Sequence, residues 1–281
     1  MTIDLEPFRI RPGEAVSLSE RNPAETLGFT AAEHEAAAKA KLDVLVAQTD
    51  ELQERLYAEG KQGLLVVLQA MDAGGKDSTI RKVFGGLNPQ GVVVSSFKAP
   101  SKIELAHDYL WRIHQCAPGK GYIRVFNRSH YEDVLIVRVH GWASPETLER
   151  RYDHINAFEK LLTDEGTQIV KVMLHISKAY QLERFRRRLK RPDKHWKFNP
   201  DDLKERELWD DYMRAYEDAL NATSRECAPW YAIPADNKPF MRRCVADIVE
   251  RTLSRLPLRY PEPDEEDVEQ MKGLRAELVG K

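Results

Sequence analysis

Short apolar runs alternate with helical patterns along the middle of this chain. Four runs rich in Val and Ile predict strands: LLVVLQ at 64–69, GVVVSSF at 91–97, GYIRVFN at 121–127 and TQIVKVMLHI at 167–176. Strands that are separated by helices form βαβ units, whose parallel sheets are covered on both faces. The pattern therefore predicts an α/β fold with three layers and a parallel central sheet.

The segments between and around these runs carry helical spacing. One long amphipathic helix is predicted from Thr30 to about Gly60, and WYAIPA at 230–235 predicts a further short strand. Ser144 suits a helix cap and Pro145 the first turn that follows it. Further helices are predicted to begin at Lys76 and at Lys238. The other predicted helices cover 103–115, 129–140, 144–166, 177–191 and 200–223.

Domain organisation follows from the same pattern. Residues 1–29 lack periodicity and predict an extended arm that lies on the body or is partly disordered. Residues 30–260 read as one domain, with a helical lid at about 183–205, and 261–281 as a polar tail. A length of 281 residues is sufficient for one large domain with a sizeable core.

Composition narrows the class of protein. A charged fraction of 31% and a net charge of -2 describe an ordinary soluble protein and argue against wholesale nucleic-acid binding. Cys116, Cys227 and Cys244 are scattered without a CxxC pair, which favours a reducing cytoplasm. The sequence has no signal-like start and no apolar run long enough for a membrane span, so export and membrane insertion are not expected.

The segment AMDAGGKD at 70–77 follows the first long strand and opens the next helix. A standard phosphate loop, GxxxxGK[ST], binds phosphate oxygens through backbone N–H groups and a Lys in this position. Ala70 and Asp77 depart from that pattern, so a simple turn that uses Gly74 and Gly75 is the alternative. The placement between strand and helix favours the phosphate loop, with Gly74, Gly75, Lys76 and Ser78 as candidate phosphate or nucleotide contacts.

Two carboxylates in this segment need a cation if phosphates bind there. An Asp beside phosphate is repulsive unless a divalent ion lies between them, and Mg²⁺ takes one or two carboxylates together with phosphate oxygens. Asp72 is therefore predicted to be a metal ligand or a phosphoryl-transfer carboxylate. Asp77 has the simpler role of a helix N-terminal acid, although it is also a candidate contact in the phosphate site.

The third strand ends in FNRSHYEDV, where an acid that holds Mg²⁺ would usually stand. Asn127 occupies that position, and Arg128 follows it at the carboxyl end of the strand. Ser129 and Glu132 also match a capping box, so Glu132 is either a contact in the site or a group that only satisfies backbone donors.

Four motifs together resemble polyphosphate kinase family 2 in its class III form: MDAGGKDSTI, SFKAPS, FNRSHYEDVLIVRVH and RPDKHWKFNPDDLKERELWDDYMRAYEDAL. The resemblance extends over nearly the whole chain, including the arm PGEAVSLSERNPAETLGF and the segment APWYAIPADNK. It implies a P-loop kinase fold similar to thymidylate kinase. It also implies transfer of phosphate between inorganic polyphosphate and AMP or ADP with Mg²⁺, and homodimers or homotetramers.

The resemblance assigns roles to residues of this chain. The family's loop acid falls on Asp72 and its loop lysine on Lys76, while Asn127 stands where many relatives have Asp. Because Asn is a poorer Mg²⁺ ligand, Asp133 or Glu132 is expected to share the metal with Asp72. The candidate catalytic residues are therefore Asp72, Lys76, Arg128 and Asp133, and the candidate metal ligands are Asp72 and Asp133.

A basic segment makes up most of the predicted lid. Residues 183–197 contain eight Lys or Arg and two acids, with Arg184, Arg187, Arg188 and Arg191 at helical spacing. A solvated, salt-bridged helix face is the alternative, but such a cluster can also neutralise a chain of phosphates. Further candidate phosphate contacts are Lys98 and Arg81, whereas Trp209, Tyr212 and Tyr216 are predicted to pack.

Three functions agree with these features. The first is a polyphosphate-dependent kinase of adenine nucleotides, with guanine nucleotides as further acceptors. The second is an ATP-dependent nucleoside monophosphate kinase, which would share the loop and the lid. The third is a sensor that binds nucleotide or polyphosphate without turnover, for which the paired carboxylates would be superfluous.

Overall fold

The computed structural model describes residues 3–28 and 31–278, so Thr30, the predicted helix start, lies outside the described residues. The strands are β1 Arg9–Ile10, β2 Gly63–Gln69, β3 Val92–Ser96, β4 Ile123–Asn127, β5 Thr167–His175 and β6 Trp230–Pro234. The α-helices are α1 Ala31–Glu59, α2 Lys76–Val83, α3 Lys102–Leu105, α4 Trp111–His114, α5 Ile136–Val139, α6 Pro145–Asp164, α7 Lys178–Lys190, α8 Asp201–Glu207, α9 Trp209–Thr223, α10 Lys238–Ser254 and α11 Glu265–Leu278. Short 3₁₀ helices cover Glu6–Phe8, His130–Asp133 and Pro192–Lys197.

The described strands form one sheet in the order β1-β6-β5-β2-β4-β3. Strands β2 to β6 are all parallel to one another, which confirms the predicted α/β class and parallel central sheet. All seven residues of β2 are buried, so both of its faces are covered. Helix α10 packs on α1 and contacts β5 and β6, and α6 contacts β5 and α9.

The N-terminal arm lies on the body of the protein. Its residues Arg9 and Ile10 pair antiparallel with Tyr231 and Trp230 and extend the sheet by one edge strand. Ile10 and Leu18 are almost completely buried, so the arm contributes to the core. The antiparallel edge was not predicted, because a two-residue strand is too short to show periodicity.

Three segments that were each predicted as one helix are interrupted. The segment 103–115 forms α3 and α4, since the Asp108 side chain accepts from Leu110 N at 2.9 Å and offers the backbone an alternative to a continued helix. The segment 129–140 forms a 3₁₀ turn followed by α5. The segment 200–223 breaks at Leu208, and nothing in the local sequence explains that break.

The region predicted as the lid consists of the second half of α7, the 3₁₀ helix Pro192–Lys197 and most of α8. The tail carries α11, an exposed helix that its polar composition did not predict. Among the described helices, none combines the length and the apolar character that crossing a membrane requires.

Parallel pairing brings the carboxyl ends of β2, β3 and β4 to the same edge of the sheet. Leu68 of β2 pairs with Asn127 of β4, which in turn pairs with Ser96 of β3. In open parallel sheets ligands bind at this edge. The two motifs at 70–77 and 127–133 therefore meet there.

Candidate active site

The loop between β2 and α2 has a backbone that only small residues allow. A Cβ on Gly74 would lie 2.6 Å from Ala70 Cβ and 2.8 Å from Met71 O. Gly75 has a φ of 104° and precedes α2 directly, and Ala73 also has a positive φ of 62°. This geometry favours the phosphate-loop interpretation over a permissive turn, because a strained backbone at a helix N-terminus is typical of anion sites.

Lys76 closes the loop on itself. Its Nζ donates to Ala70 O at 2.7 Å, so the ammonium lies across the loop that precedes it. Burial lowers the pKa of Lys76 and the neighbouring Arg128 lowers it further, while Asp72, Glu132 and Asp77 act in the opposite direction. A phosphate at this position would replace the carbonyl as the partner of the ammonium.

Arg128 connects the end of β4 to the loop. Its guanidinium donates to Asp72 Oδ1 at 2.8 Å and lies 3.8 Å from Glu132 Oε2. Burial alone would lower the pKa of Arg128, but the charges of Glu132 and Asp72 outweigh it and raise the pKa. Arg128 has a φ of 63°, a left-handed conformation that is uncommon for a long side chain and is typical of functional sites.

Glu132 does not complete a capping box. Ser129 Oγ accepts from Tyr131 N at 3.2 Å, whereas the backbone N–H of Ser129 faces Gln69. With its amide oriented to suit these partners, Gln69 accepts from Ser129 N at 3.3 Å and donates to Glu132 Oε1 at 3.0 Å. The capping alternative for Glu132 is therefore wrong, and its carboxylate lies beside Arg128.

Asp77 joins the first turn of α2 to two distant segments. Asn127 Nδ2 donates to Oδ1 at 3.0 Å, and Lys197 Nζ donates to Oδ2 at 2.6 Å. Burial alone would raise the pKa of Asp77, but these hydrogen bonds outweigh it and lower the pKa. The adjacent Ser78 hydroxyl donates to Gly75 O at 2.9 Å and so supports the start of the helix.

Asp133 lies in different surroundings. Arg151 donates to its backbone oxygen at 2.6 Å and lies 4.0 Å from its Oδ1. Burial raises the pKa of Asp133 to about 6. No described hydrogen bond or ion pair joins Asp133 to Asp72, Lys76 or Arg128, so its carboxylate is not part of the group around the loop.

The basic residues of the predicted lid fall into two sets. Arg188 is bound to Asp202 at 3.0 Å and to Lys197 O at 3.2 Å, and Arg191 is bound to Asp193 at 2.9 Å. Arg184 and Arg187 have no acidic partner within the described part of the chain. Lys98 is exposed just after β3, and its backbone oxygen accepts from Arg112 at 2.8 Å.

Several residues of the site could not be recognised in the sequence. Gln181 of α7 donates to the backbone oxygen of Asp72 at 3.0 Å, which attaches the lid helix to the loop. The pKa of Asp202 in α8 is raised by burial and then by the charge of Asp72, which places α8 near the site. In the sequence, the only sign of such residues was a polar residue at a strand end, and Gln69 is the one example.

The carboxylates around the loop suit a hard cation that also binds phosphate oxygens. No group of three or more His, Cys, Asp or Glu residues suited to a metal occurs among the described residues. Asp72 and Asp77 are carboxylates on the same loop and helix start, each held by one cation. Mg²⁺ keeps waters and phosphate oxygens and needs only one or two carboxylates, so these residues suit it.

Comparisons with known proteins point to one family. The model of the family "Polyphosphate kinase 2 (PPK2)" matches residues 32–258. The chain is 49% identical over 260 residues to AMP/ADP-polyphosphate phosphotransferase of Meiothermus ruber, covering 92% of this chain and 97% of that protein. It is 41% identical over 295 residues to ADP-polyphosphate phosphotransferase of Rhodopseudomonas palustris, covering 99% and 100%.

A solved structure gives the same result for the fold. The crystal structure of polyphosphate kinase 2 from Arthrobacter aurescens superposes with a TM-score of 0.92 at 45% identity. The match covers 98% of this chain and 99% of that chain. The fold predicted from the alternation of strands and helices is therefore the fold of this structure as well.

Proposed function

Since the chain belongs to the polyphosphate kinase 2 family, we propose that it transfers phosphate between inorganic polyphosphate and AMP or ADP, giving ADP or ATP. The two relatives named above are polyphosphate phosphotransferases by name. This chain matches both of them over nearly their full lengths. The observation that carries the proposal is the contact of Arg128 with Asp72 at 2.8 Å beside Lys76. It joins the strand-end motif to the loop motif in one group of charges.

The proposed mechanism is in-line phosphoryl transfer with little covalent participation by the protein. The loop N–H groups and Lys76 bind the phosphate that is transferred, and Arg128 stabilises the charge that develops on it. Asp72 orients the attacking nucleotide phosphate. A general base is not required, because a phosphate acceptor is already ionised at neutral pH.

Mg²⁺ is the proposed cofactor, and it would neutralise phosphate charge between Asp72 and the substrate. Asp72 is the proposed ligand because its carboxylate belongs to the loop. The assignment of Asp133 as a second ligand remains a prediction, since the described contacts of Asp133 are with Arg151. The phosphate-binding roles of Asn127, Glu132 and the lid arginines are proposals of the same kind.

The setting and assembly of the protein are also proposals. Cys116, Cys227 and Cys244 are all free thiols, which agrees with a reducing cytoplasm. Val44 and Tyr57 of α1 are exposed, and large apolar side chains on a long helix suit contact with a second copy in a homodimer or homotetramer. Analytical ultracentrifugation would measure the oligomeric state.

A coupled assay tests the function. The purified protein is incubated with Mg²⁺ and either AMP or ADP, with polyphosphate or ATP as donor, and the nucleotides are separated by chromatography. We expect ADP and ATP to form with polyphosphate. Formation of ADP from AMP with ATP alone would instead support a nucleoside monophosphate kinase, and binding without any product would support a sensor. Parallel reactions with GDP would measure base selectivity.

A further inference from the structure

Helix α11 of the tail is exposed along its length. Each of its side chains that the structure describes is exposed, apart from Val268, which is partly buried. Its side-chain hydrogen bonds, such as that from Lys272 to Glu269 at 3.2 Å, lie within the tail itself. In the described part of the chain, no hydrogen bond or ion pair joins α11 to another helix or strand.

The helix carries a stripe of apolar side chains. Val268, Met271, Leu274 and Leu278 recur at intervals of three or four residues, so they lie along one side of α11. Met271, Leu274 and Leu278 are 49%, 51% and 78% exposed. Apolar side chains that form one continuous exposed stripe mark an interaction surface more often than scattered ones do.

A helix of this length needs a partner to be stable. Helix α11 has 14 residues, and isolated helices of up to about 12 to 15 residues are marginal in water even when their residues favour helix formation. Gly273, in the second half of α11, costs about a further 1 kcal/mol relative to Ala. Packing of the apolar stripe on another surface would supply the missing stability.

Two charges within the stripe indicate which surface fits. Asp267 stands four residues before Met271 and Arg275 four residues after it, so both lie beside the apolar side chains. Neither has an ion-pair partner among the residues that the structure describes. If two copies of α11 pack antiparallel with their Met271 side chains together, Asp267 of each copy faces Arg275 of the other. Val268 then faces Leu274, so the stripe is complementary to itself about a two-fold axis.

The charge of the tail disfavours other kinds of partner. Residues 262–269 contain six acids and no Lys or Arg. Nucleic acids and anionic membrane surfaces repel such a segment. A second copy in the antiparallel arrangement instead brings Lys272 and Arg275 to this acidic half.

The position of the tail agrees with a contact between copies. Tyr260, just before α11, donates to Glu54 Oε2 of α1 at 3.0 Å, so the tail begins beside that helix. Tyr57 follows Glu54 after about one turn and is 41% exposed. The tail therefore starts at the part of α1 whose exposed apolar side chain also suits a second copy.

We propose that α11 is an interaction surface for a second copy of this chain, and that two copies pair through antiparallel α11 helices centred on Met271. The apolar stripes form the middle of the contact, and the two pairs of Asp267 with Arg275 fix its register. This goes beyond the proposed function, since it concerns the association of copies and not phosphate transfer. Helix α11 also lies outside residues 32–258, which the family model matches.

Cross-linking of the full chain tests the contact directly. In the paired helices the two Met271 residues lie next to the two-fold axis. Met271→Cys is therefore expected to form a disulfide-linked dimer under mild oxidation, which non-reducing electrophoresis detects. Glu269→Cys is the control, because Glu269 lies on the opposite side of the helix. Cys227 is exposed in both variants, so a link through it would appear equally in the control.

Charge reversal tests the register. Asp267→Arg alone, or Arg275→Asp alone, places like charges opposite each other twice. We expect the dissociation constant for self-association, measured by sedimentation equilibrium, to rise roughly tenfold in each variant. An equimolar mixture of the two variants should recover the association of the wild type, because each chain then faces the opposite charges of the other. The double variant Asp267→Arg/Arg275→Asp should recover it as well.

A further variant tests the apolar stripe. Leu274→Asp should weaken self-association by a similar factor. Leu161→Asp is the matched control, since Leu161 of α6 is 50% exposed and Leu274 is 51% exposed. Thermal unfolding of each variant checks that the fold is intact.

The outcomes separate this inference from the proposed function, because none of these measurements requires turnover. The inference is wrong if the wild type stays monomeric, if Met271→Cys forms no more dimer than Glu269→Cys, or if both single reversals associate as the wild type does. Reversals that weaken association without recovery in the mixture contradict the antiparallel register and overturn the proposal. A wild type that forms no ATP from polyphosphate, but shows the cross-link and the recovery, refutes the proposed function alone.

Discussion

Lys197 and Asp77 form an ion pair of 2.6 Å across 120 residues of sequence. The pair joins the 3₁₀ helix of the lid to the first turn of the helix that follows the phosphate loop. Asp77 also accepts from Asn127 at 3.0 Å, so one carboxylate connects the lid, the loop helix and the end of β4. The unusual Asp after the loop lysine therefore has a structural partner that the sequence did not show.

Removing the lid contact is expected to change substrate affinity more than stability. The Asp77 side chain is 64% exposed, and exposed pairs contribute under about 1 kcal/mol. Lys197→Ala should therefore leave the midpoint of chemical denaturation nearly unchanged. It should raise the KM of the nucleotide, because the lid loses its contact beside the loop.

Lys194→Ala is the matched control, since Lys194 pairs with Asp193 inside the lid at 3.0 Å and does not reach the loop. Equal effects of the two variants on KM would contradict a specific role for Lys197. The pKa of Asp77 is lowered, so its contribution to stability is present above the unfolded pKa of about 4 and is lost as the pH falls further. The lid contact should therefore be insensitive to pH in the neutral range.

Asp72→Asn tests the loop carboxylate. The substitution keeps the shape of the side chain but removes the charge that faces Arg128 and the proposed Mg²⁺. We expect kcat to fall by roughly 100-fold or more, with a smaller change in nucleotide binding. Steady-state kinetics at saturating Mg²⁺ gives both values.

Asp77→Asn is the comparison for this experiment, because it alters a second carboxylate at the start of the same helix. Its effect on kcat is expected to be much smaller than that of Asp72→Asn. Unchanged turnover of Asp72→Asn would refute the proposed role of the loop carboxylate. A loss that extra Mg²⁺ restores would indicate a role in metal affinity alone.

The sequence alone was sufficient to predict the fold and to recognise the two motifs at 70–77 and 127–133. The strands β2, β4 and β5 are visible as short apolar runs rich in Val and Ile, and the phosphate loop follows from its place between a strand and a helix. Local patterns also gave the correct cap at Ser144. These features depend on residues that are close together along the chain.

Contacts between distant segments could not be predicted from the sequence. Arg128 meets Asp72 because Leu68 and Asn127 are in register, and no local pattern encodes that register. The S-x-x-E pattern at Ser129 allowed a capping box with Glu132, but in the structure the Ser129 N–H faces Gln69 instead. In the lid, the helical spacing of four arginines did not reveal that Asp202 and Asp193 neutralise two of them, Arg188 and Arg191.

A buried ion pair supports the turn that carries Arg128. Lys171 donates to Glu159, to Tyr131 OH at 2.9 Å and to Thr223 O at 2.7 Å, and all these side chains are almost completely buried. Glu159→Ala is expected to cost about 3 to 5 kcal/mol in the free energy of unfolding, since Lys171 would remain buried without its charge partner. Urea denaturation measures this change.

Lys171→Met/Glu159→Leu is the informative comparison, because it removes both charges together. The double variant should be more stable than Glu159→Ala. Equal stability of the two would mean that packing, and not charge, dominates this part of the core. Exposed Glu149→Ala on the same helix should have almost no effect.

Asp133 is expected to lower the stability of the protein at neutral pH. Burial raises its pKa to about 6, above an unfolded value near 4, so the folded state favours the protonated acid. Asp133→Asn should therefore stabilise the fold by up to about 3 kcal/mol at about pH 7, and the gain should shrink as the pH falls through 6 towards 4. Urea denaturation across this range measures it, and a gain that does not depend on pH would contradict the raised pKa. Turnover of Asp133→Asn is measured as well. If the substitution abolishes turnover while nucleotide still binds, the carboxylate has a role in the reaction, and its assignment as a catalytic residue is supported.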